Sequence, residues 1–316
     1  MTNAPIAMTY VADLHTRDRT RQQFADDTSK GSRVRVARGV YATLAEWNSL
    51  RETDRYLAVV HAIAKTRRTS PIVSHWSAAA LHGLPVIGSW PSTVHITVPP
   101  TSGSRSRHQV TRHSLLLDDD EVVEVSGLRV TSLVRTIIDI AACCRFPSAV
   151  TMADHALHVD RFGRRQPRCT RDELARQWQR RMPFGGFAKA REVIDFATEY
   201  SDSALESLSR ANIELIGFPR PRVQVPFFDH RGLIGYTDFF WPEFSLIGEA
   251  DGDIKYLDPR FRSSRSTEQV LLAQSKREDR LRALGHRVTR WDWDTALSPA
   301  ALRDHLQAAG LPCRIR

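Results

Sequence analysis

The stretch GYTDFFWPEFSLIGEADGDIKY, residues 235–256, constrains the fold more than any other part of the chain. Its aromatic and β-branched residues read as two strands around a Trp-Pro-Glu turn, yet Asp238, Glu249 and Asp251 sit among them. Carboxylates are almost never buried without a partner, so their position needs a physical reason. A turn centred between Pro242 and Glu243 puts Asp238 opposite Ile247 and diagonal to Glu249. Side chains two apart share a face, so all three acids converge, diagonal neighbours lying roughly 7–8 Å apart. A slip of one residue would send Asp238 to the other face. Such a cluster is mutually repulsive at neutral pH and calls for a raised pKa or a cation. Oxygen donors of this kind suit Mg²⁺ or Mn²⁺, which makes Asp238, Glu249 and Asp251 the expected metal ligands.

The segments around the hairpin give it a setting. SALESLSRANIELIG reads as a helix with Leu205, Leu208, Ile213 and Ile216 on its apolar side. RVQVPFFD, LIGYTDFF and FSLIGEAD read as strands, STEQVLLAQSKREDRLRALG as a helix ending at Gly285, and HRVTRWDW as a strand. Helix, three strands, helix and strand make a mixed sheet covered by helices, an α/β (α+β) arrangement over residues 201–316.

Upstream, RVRVARGVYATL follows the polar helical stretch RDRTRQQFADD and reads as a two-stranded ribbon broken at Gly39. Residues 1–46 thus have the outline of a winged helix, with Arg33, Arg35 and Arg38 in reach of phosphates. Residues 47–160 alternate helices with strands, ending in GLRVTSLVRTIIDIAACC. Residues 161–181 hold eight arginines against one Asp and one Glu, and 161–200 reads as an Arg-rich linker with helices. At 316 residues the chain has room for two or three cores.

A formal charge of +9 favours polyanions, and DNA is the expected partner. No apolar run is long enough for a membrane span, and no basic head followed by an apolar core marks an export signal, so a cytoplasmic protein is expected. Cysteine spacing supports neither structural zinc nor a disulfide framework. His75, His82 and His95 lack a carboxylate at ligand spacing and read as ordinary histidines.

Two resemblances add to this reading. RVRVARGVYATL and GLRVTSLVRTIIDIA resemble the DNA-binding half of AbiEi-type antitoxins of type IV toxin–antitoxin systems, which implies a DNA-binding repressor and a toxin encoded nearby as a partner. Residues 200–295 resemble the PD-(D/E)xK nucleases, most closely the very-short-patch-repair-like endonucleases, and thus a restriction-endonuclease-like αβββαβ domain. That resemblance implies catalytic roles for Glu206, Asp238 and Glu249, with Asp251 where the superfamily carries Lys. Lys255 or Lys276 then supplies the cation. Lys276, Arg277, Arg280 and Arg290 are the expected contacts to the DNA backbone. Glu206, three residues after Ser203, also fits a capping box. The function expected is a metal-dependent DNA endonuclease with an antitoxin-like DNA-binding half. The alternative is a non-catalytic DNA-binding regulator.

Overall fold

The computed structural model describes residues 4–313 apart from 17, 68, 103–105, 107–108, 161–162, 164–165 and 253–266. Three sheets and their helices make a mixed α/β chain of two compact units, Met1–Cys143 with Arg171–Arg191 and Cys144–Thr170 with Glu192–Arg316. Among the described residues no helix is long and apolar enough to cross a membrane.

In the first unit β1 (Thr9–Tyr10), α1 (Asp18–Ser29), β2 (Arg33–Ala37) and β3 (Val40–Thr43) come first, and the strands pair antiparallel in the order β1-β3-β2. The β2–β3 turn uses Gly39 at φ +74°, a conformation that costs a residue without Cβ little. Helices α2 (Leu44–Ser49) and α3 (Glu52–Lys65) follow, and Thr43 caps the first of them by accepting from the Glu46 N–H. A second sheet has the order β6-β5-β4-β8-β7, built from β4 (Ile72–Val73), β5 (Val94–Val98), β6 (Val110–Ser114), β7 (Val122–Val125) and β8 (Leu128–Thr131). Helices α4 (His75–Leu81) and α5 (Leu133–Cys143) pack together in this unit.

The division differs from the expected segments 1–46, 47–160, 161–200 and 201–316. Helix α6 (Phe146–Leu157) belongs to the second unit, and α7 (Arg171–Arg181) to the first. The Arg-rich stretch is not simply a solvated linker: α7 buries Leu174 and packs on α5, while Arg180 meets Asp118 and Asp120. Tertiary burial has overridden the composition.

After α8 (Phe187–Phe196), the second unit continues with α9 (Ala204–Leu215), β9 (Arg222–Asp229), β10 (Gly232–Trp241), β11 (Leu246–Ala250), α10 (Thr267–Ala283), β12 (Arg287–Trp291), α11 (Trp293–Leu297) and α12 (Pro299–Ala308). Its sheet has the order β12-β11-β10-β9. The first three strands in sequence form an antiparallel meander, and β12 lies parallel to β11. Four residues, Pro242–Ser245, join β10 to β11 through a 3-10 turn closed by Ser245 at φ +44°. This longer turn shifts the expected register by two: Phe239 faces Gly248, and the same register carried one residue further sets Asp238 opposite Glu249 rather than Ile247. The shift is even, so the two acids still share a face.

Phe227, Ile234 and Ile247 form a core with Leu281 of α10. A second layer stacks Phe239 on Trp291 with ring centroids 5.4 Å apart. Its indoles are fixed, because Trp291 Nε1 donates to Ser209 Oγ (2.8 Å) and Trp241 Nε1 to the Pro219 carbonyl (2.7 Å). Gly248 lies between these rings: a Cβ there would come 2.7 Å from Trp291 and 3.0 Å from Trp241. Gly248→Ala is therefore expected to cost about 1–3 kcal/mol through overpacking. Urea unfolding should show a lower midpoint with an unchanged slope, and an unchanged midpoint would mean that the rings give way.

Candidate active site

The opening of α9 is set by Ser203, whose Oγ accepts from the Glu206 N–H (3.2 Å). Glu206 answers by accepting from the Asp202 N–H (3.0 Å) and from the Ser203 hydroxyl (2.8 Å). The capping role is real, and it does not use up the carboxylate. Glu206 is 6% exposed, and its Oε2 also accepts from Gln224 Nε2 (2.8 Å). The same amide nitrogen lies 3.4 Å from Asp238 Oδ1, while Asp238 Oδ2 accepts from the Ala250 N–H (2.9 Å). Asp238 is thus tied on one side to the helix acid and on the other to the strand that carries Glu249.

Gln224 is a residue that charge and motif spacing do not reveal. It sits within β9 at φ +51°, the left-handed region that costs a non-glycine residue of order 1–3 kcal/mol. The only trace in the sequence is a polar residue in the otherwise apolar VQVPFF.

Glu249, also 6% exposed, accepts from Arg277 Nη2 (2.9 Å), which donates to the Tyr236 carbonyl as well. Burial, and then the charge of Asp238, pushes the Glu249 carboxyl up to about 7, against the opposing charges of Arg277 and Arg290. Burial and the same Asp238 charge push Glu206 up to about 7, against hydrogen bonds from Ser203, Asp202 and Gln224. One aspartate acting on two buried glutamates makes this a cluster with strongly perturbed acids.

Asp251, the third ligand expected, is placed differently: its Oδ2 is 2.7 Å from Arg290 Nη1 and 3.5 Å from Gln274 Nε2. Lys255 lies outside the described residues. Among the described residues no group of three or more His, Cys, Asp or Glu is arranged to hold a metal ion. Asp238 and Glu249, both hard oxygen donors, are the residues that could hold a divalent ion. Mg²⁺ commonly takes one or two carboxylates and fills its other positions with water or phosphate oxygens.

Of the cations expected at DNA, several are held by protein acceptors. Arg33 meets Asp27 and Thr9, Arg280 makes a bidentate contact with Asp229 (2.7 and 2.6 Å), and Arg290 meets Glu278 besides Asp251. Arg277 points at Glu249. Arg35, Arg38 and Lys276 are exposed. Arg35 and Arg38 line a 660 Å³ groove in the first unit with Arg67 and Arg112.

The first unit also collects His75, His95 and His113. His75 stacks on His113 at 3.5 Å, and His95 Nδ1 is 3.0 Å from His113 Nε2. Burial lowers His95 and His113 to about 4, so both are neutral at pH 7.

Fold and site together describe an α+β chain whose second unit carries an acidic cluster on a four-stranded sheet. No protein-family profile matches it. Over 235 residues it is 30% identical to Uncharacterized protein MT2308 and Uncharacterized protein Rv2248 of two Mycobacterium tuberculosis strains, CDC 1551 / Oshkosh and ATCC 25618 / H37Rv, covering 73% of this chain and 78% of each relative. The chain belongs to the family of these mycobacterial proteins. The crystal structure of the RV2827C protein from Mycobacterium tuberculosis is similar at a TM-score of 0.40 and 15% identity, over 71% of this chain and 84% of that one.

Proposed function

We propose that the second unit is a metal-dependent endonuclease that hydrolyses phosphodiester bonds in DNA, with the first unit as its DNA-binding half. The observation that carries this reading is Asp238 facing Glu249 across paired strands while its charge also bears on Glu206. Asp238 and Glu249 would hold Mg²⁺ or Mn²⁺, which when bound acidifies a coordinated water and offsets charge on the phosphate. Arg277, anchored between Glu249 and the Tyr236 carbonyl, supplies the cation in this reading, since position 251 is Asp. Glu206, titrating near neutrality, is suited to accept a proton from the attacking water as a P–O ester bond breaks. Arg35, Arg38 and Lys276 remain exposed for the DNA backbone. The test is conversion of supercoiled plasmid to nicked circles in Mg²⁺ or Mn²⁺.

A metal-linked stability change gives a second test. Both glutamates are raised from 4.5 to about 7, so the stability tied to their neutral forms is complete below pH 4.5 and lost as pH rises through 7. A cation bound to the ionised cluster offsets that loss, by roughly 2.7 kcal/mol at a hundredfold excess over its Kd. Mg²⁺ is expected to raise the Tm more at pH 8 than at pH 5.5. Equal shifts at the two pH values would count against a carboxylate site.

A second reading is a non-catalytic regulator of the antitoxin type, with a toxin encoded nearby as its partner. Asp251 in place of lysine and the Arg277 contact on Glu249 favour it. It expects gel-shift binding to the promoter of its own gene that survives EDTA and the Asp238→Ala substitution, and binding without sequence preference would sink it.

A further inference from the structure

The amide of Gln224 lies between two acids that repel each other, and its backbone is strained to put it there. We propose that Gln224 is a positioning residue of this site, a neutral clamp that keeps Glu206 beside Asp238 and orients Asp238, which with Glu249 would receive a divalent cation. The inference rests on the nuclease reading only for what the cation is used to do.

Three observations carry it. The Nε2 group is 2.8 Å from Glu206 Oε2 and 3.4 Å from Asp238 Oδ1, so one amide spans both carboxylates. The amide orientation follows from this chemistry, because a carbonyl turned toward two carboxylates would add a third acceptor where donors are needed. The residue is also held at φ +51° within an eight-residue strand, whereas its flanking residues Val223 and Val225 keep their pairing with Phe239 and Thr237 of β10. Left-handed backbone in a non-glycine residue persists only where the surroundings impose it, and such residues concentrate at functional sites. A hydrophobic residue here would leave the β10 ladder in place and the acids without their shared donor.

A clamp of this kind differs from a ligand. It shifts the affinity for the cation without contacting it, as partners of metal-binding side chains do, typically by 10–100-fold. Two variants separate the amide from the fold. Gln224→Met keeps length and removes both donors. Gln224→Asn tolerates the left-handed backbone but is too short to span the two acids.

The experiment is Mn²⁺ binding to the full chain by calorimetry, with the spectrum of bound Mn²⁺ by electron paramagnetic resonance and the melting temperature measured in parallel. Both variants are expected to bind Mn²⁺ roughly tenfold more weakly or worse, with an altered Mn²⁺ spectrum and an unchanged Tm. Wild-type affinity in both variants would overturn the clamp, as would a loss of affinity that appears only together with a lowered Tm. A wild-type chain that fails to bind Mn²⁺ overturns it too. If the wild type binds Mn²⁺, the variants bind weakly and no DNA is cut, the clamp stands and the nuclease reading falls.

Discussion

Asp238→Asn is expected to reduce plasmid nicking roughly 10³-fold, the scale of loss when a group that stabilises transition-state charge is removed. Asparagine keeps the size of aspartate, and its side-chain oxygen can still accept from the Ala250 N–H, so the β10–β11 pairing should survive. What disappears is the charge that acts on Glu206 and Glu249 together. Both glutamates should then ionise more easily, and the metal-free variant should be at least as stable as the wild type at pH 8. Lower activity with equal or higher stability is the signature of a functional charge rather than a structural one. Asp251→Asn serves as the contrast: Asp251 is held by Arg290, and its loss should reduce nicking far less. Nicking by Asp238→Asn at the wild-type rate would sink the proposed role of the cluster. An absence of nicking by the wild type on supercoiled, linear and mismatched DNA would sink the nuclease reading.

The shared face of Asp238 and Glu249 was legible only on the premise of a turn with an even number of residues, which the four-residue turn Pro242–Ser245 meets. The register was not. It depended on a 3-10 turn and a left-handed Ser245, and a Trp-Pro-Glu-Phe-Ser stretch does not announce how many residues the turn will take. The capping box at Ser203 was readable from local spacing, since its hydrogen bonds join residues three or four apart. The fate of the arginines was not, because the acids that hold them lie far away in sequence. Arg280 meets Asp229 and Arg277 meets Glu249, 51 and 28 positions away. A count of basic residues registers charge and is blind to such pairing. Gln224 was the hardest case: it is neutral, belongs to no spacing rule, and its importance lies in a backbone angle. The Arg-rich stretch was legible in part: 161–200 reads as a linker with helices, but its composition does not announce that α7 buries Leu174 in the first unit.

The largest effect on stability is expected in that first unit, from Arg135→Met. Arg135 is 3% exposed and lies between two acids, with Nη1 2.9 Å from Glu121 Oε1 and Nε 2.8 Å from Asp139 Oδ1. Gln177 also donates to Glu121. Methionine restores much of the volume and none of the charge, leaving buried Asp139 without its ion-pair partner and Glu121 with no cation among the described residues closer than Arg181 (3.5 Å), at an expected cost of about 3–5 kcal/mol. Burial already raises Asp139 from 3.8 to about 6 against the pull of Arg135. A raised carboxyl contributes stability that is complete below its unfolded pKa and lost as pH rises through the folded one. Removing the guanidinium lifts Asp139 further, so the deficit of the variant should be full at pH 8 and smaller at pH 5. Urea unfolding at the two pH values measures it, and a deficit that does not shrink at pH 5 would contradict the assigned cause. Adding Glu121→Gln and Asp139→Asn to Arg135→Met should recover most of the loss, because replacing all members of a buried ionic network is far less costly than removing one. At temperatures where the variant is folded its nicking rate should match the wild type. Arg135 belongs to the unit that lacks the Asp238 cluster, so a stability loss without a catalytic one separates what holds the chain together from what it does.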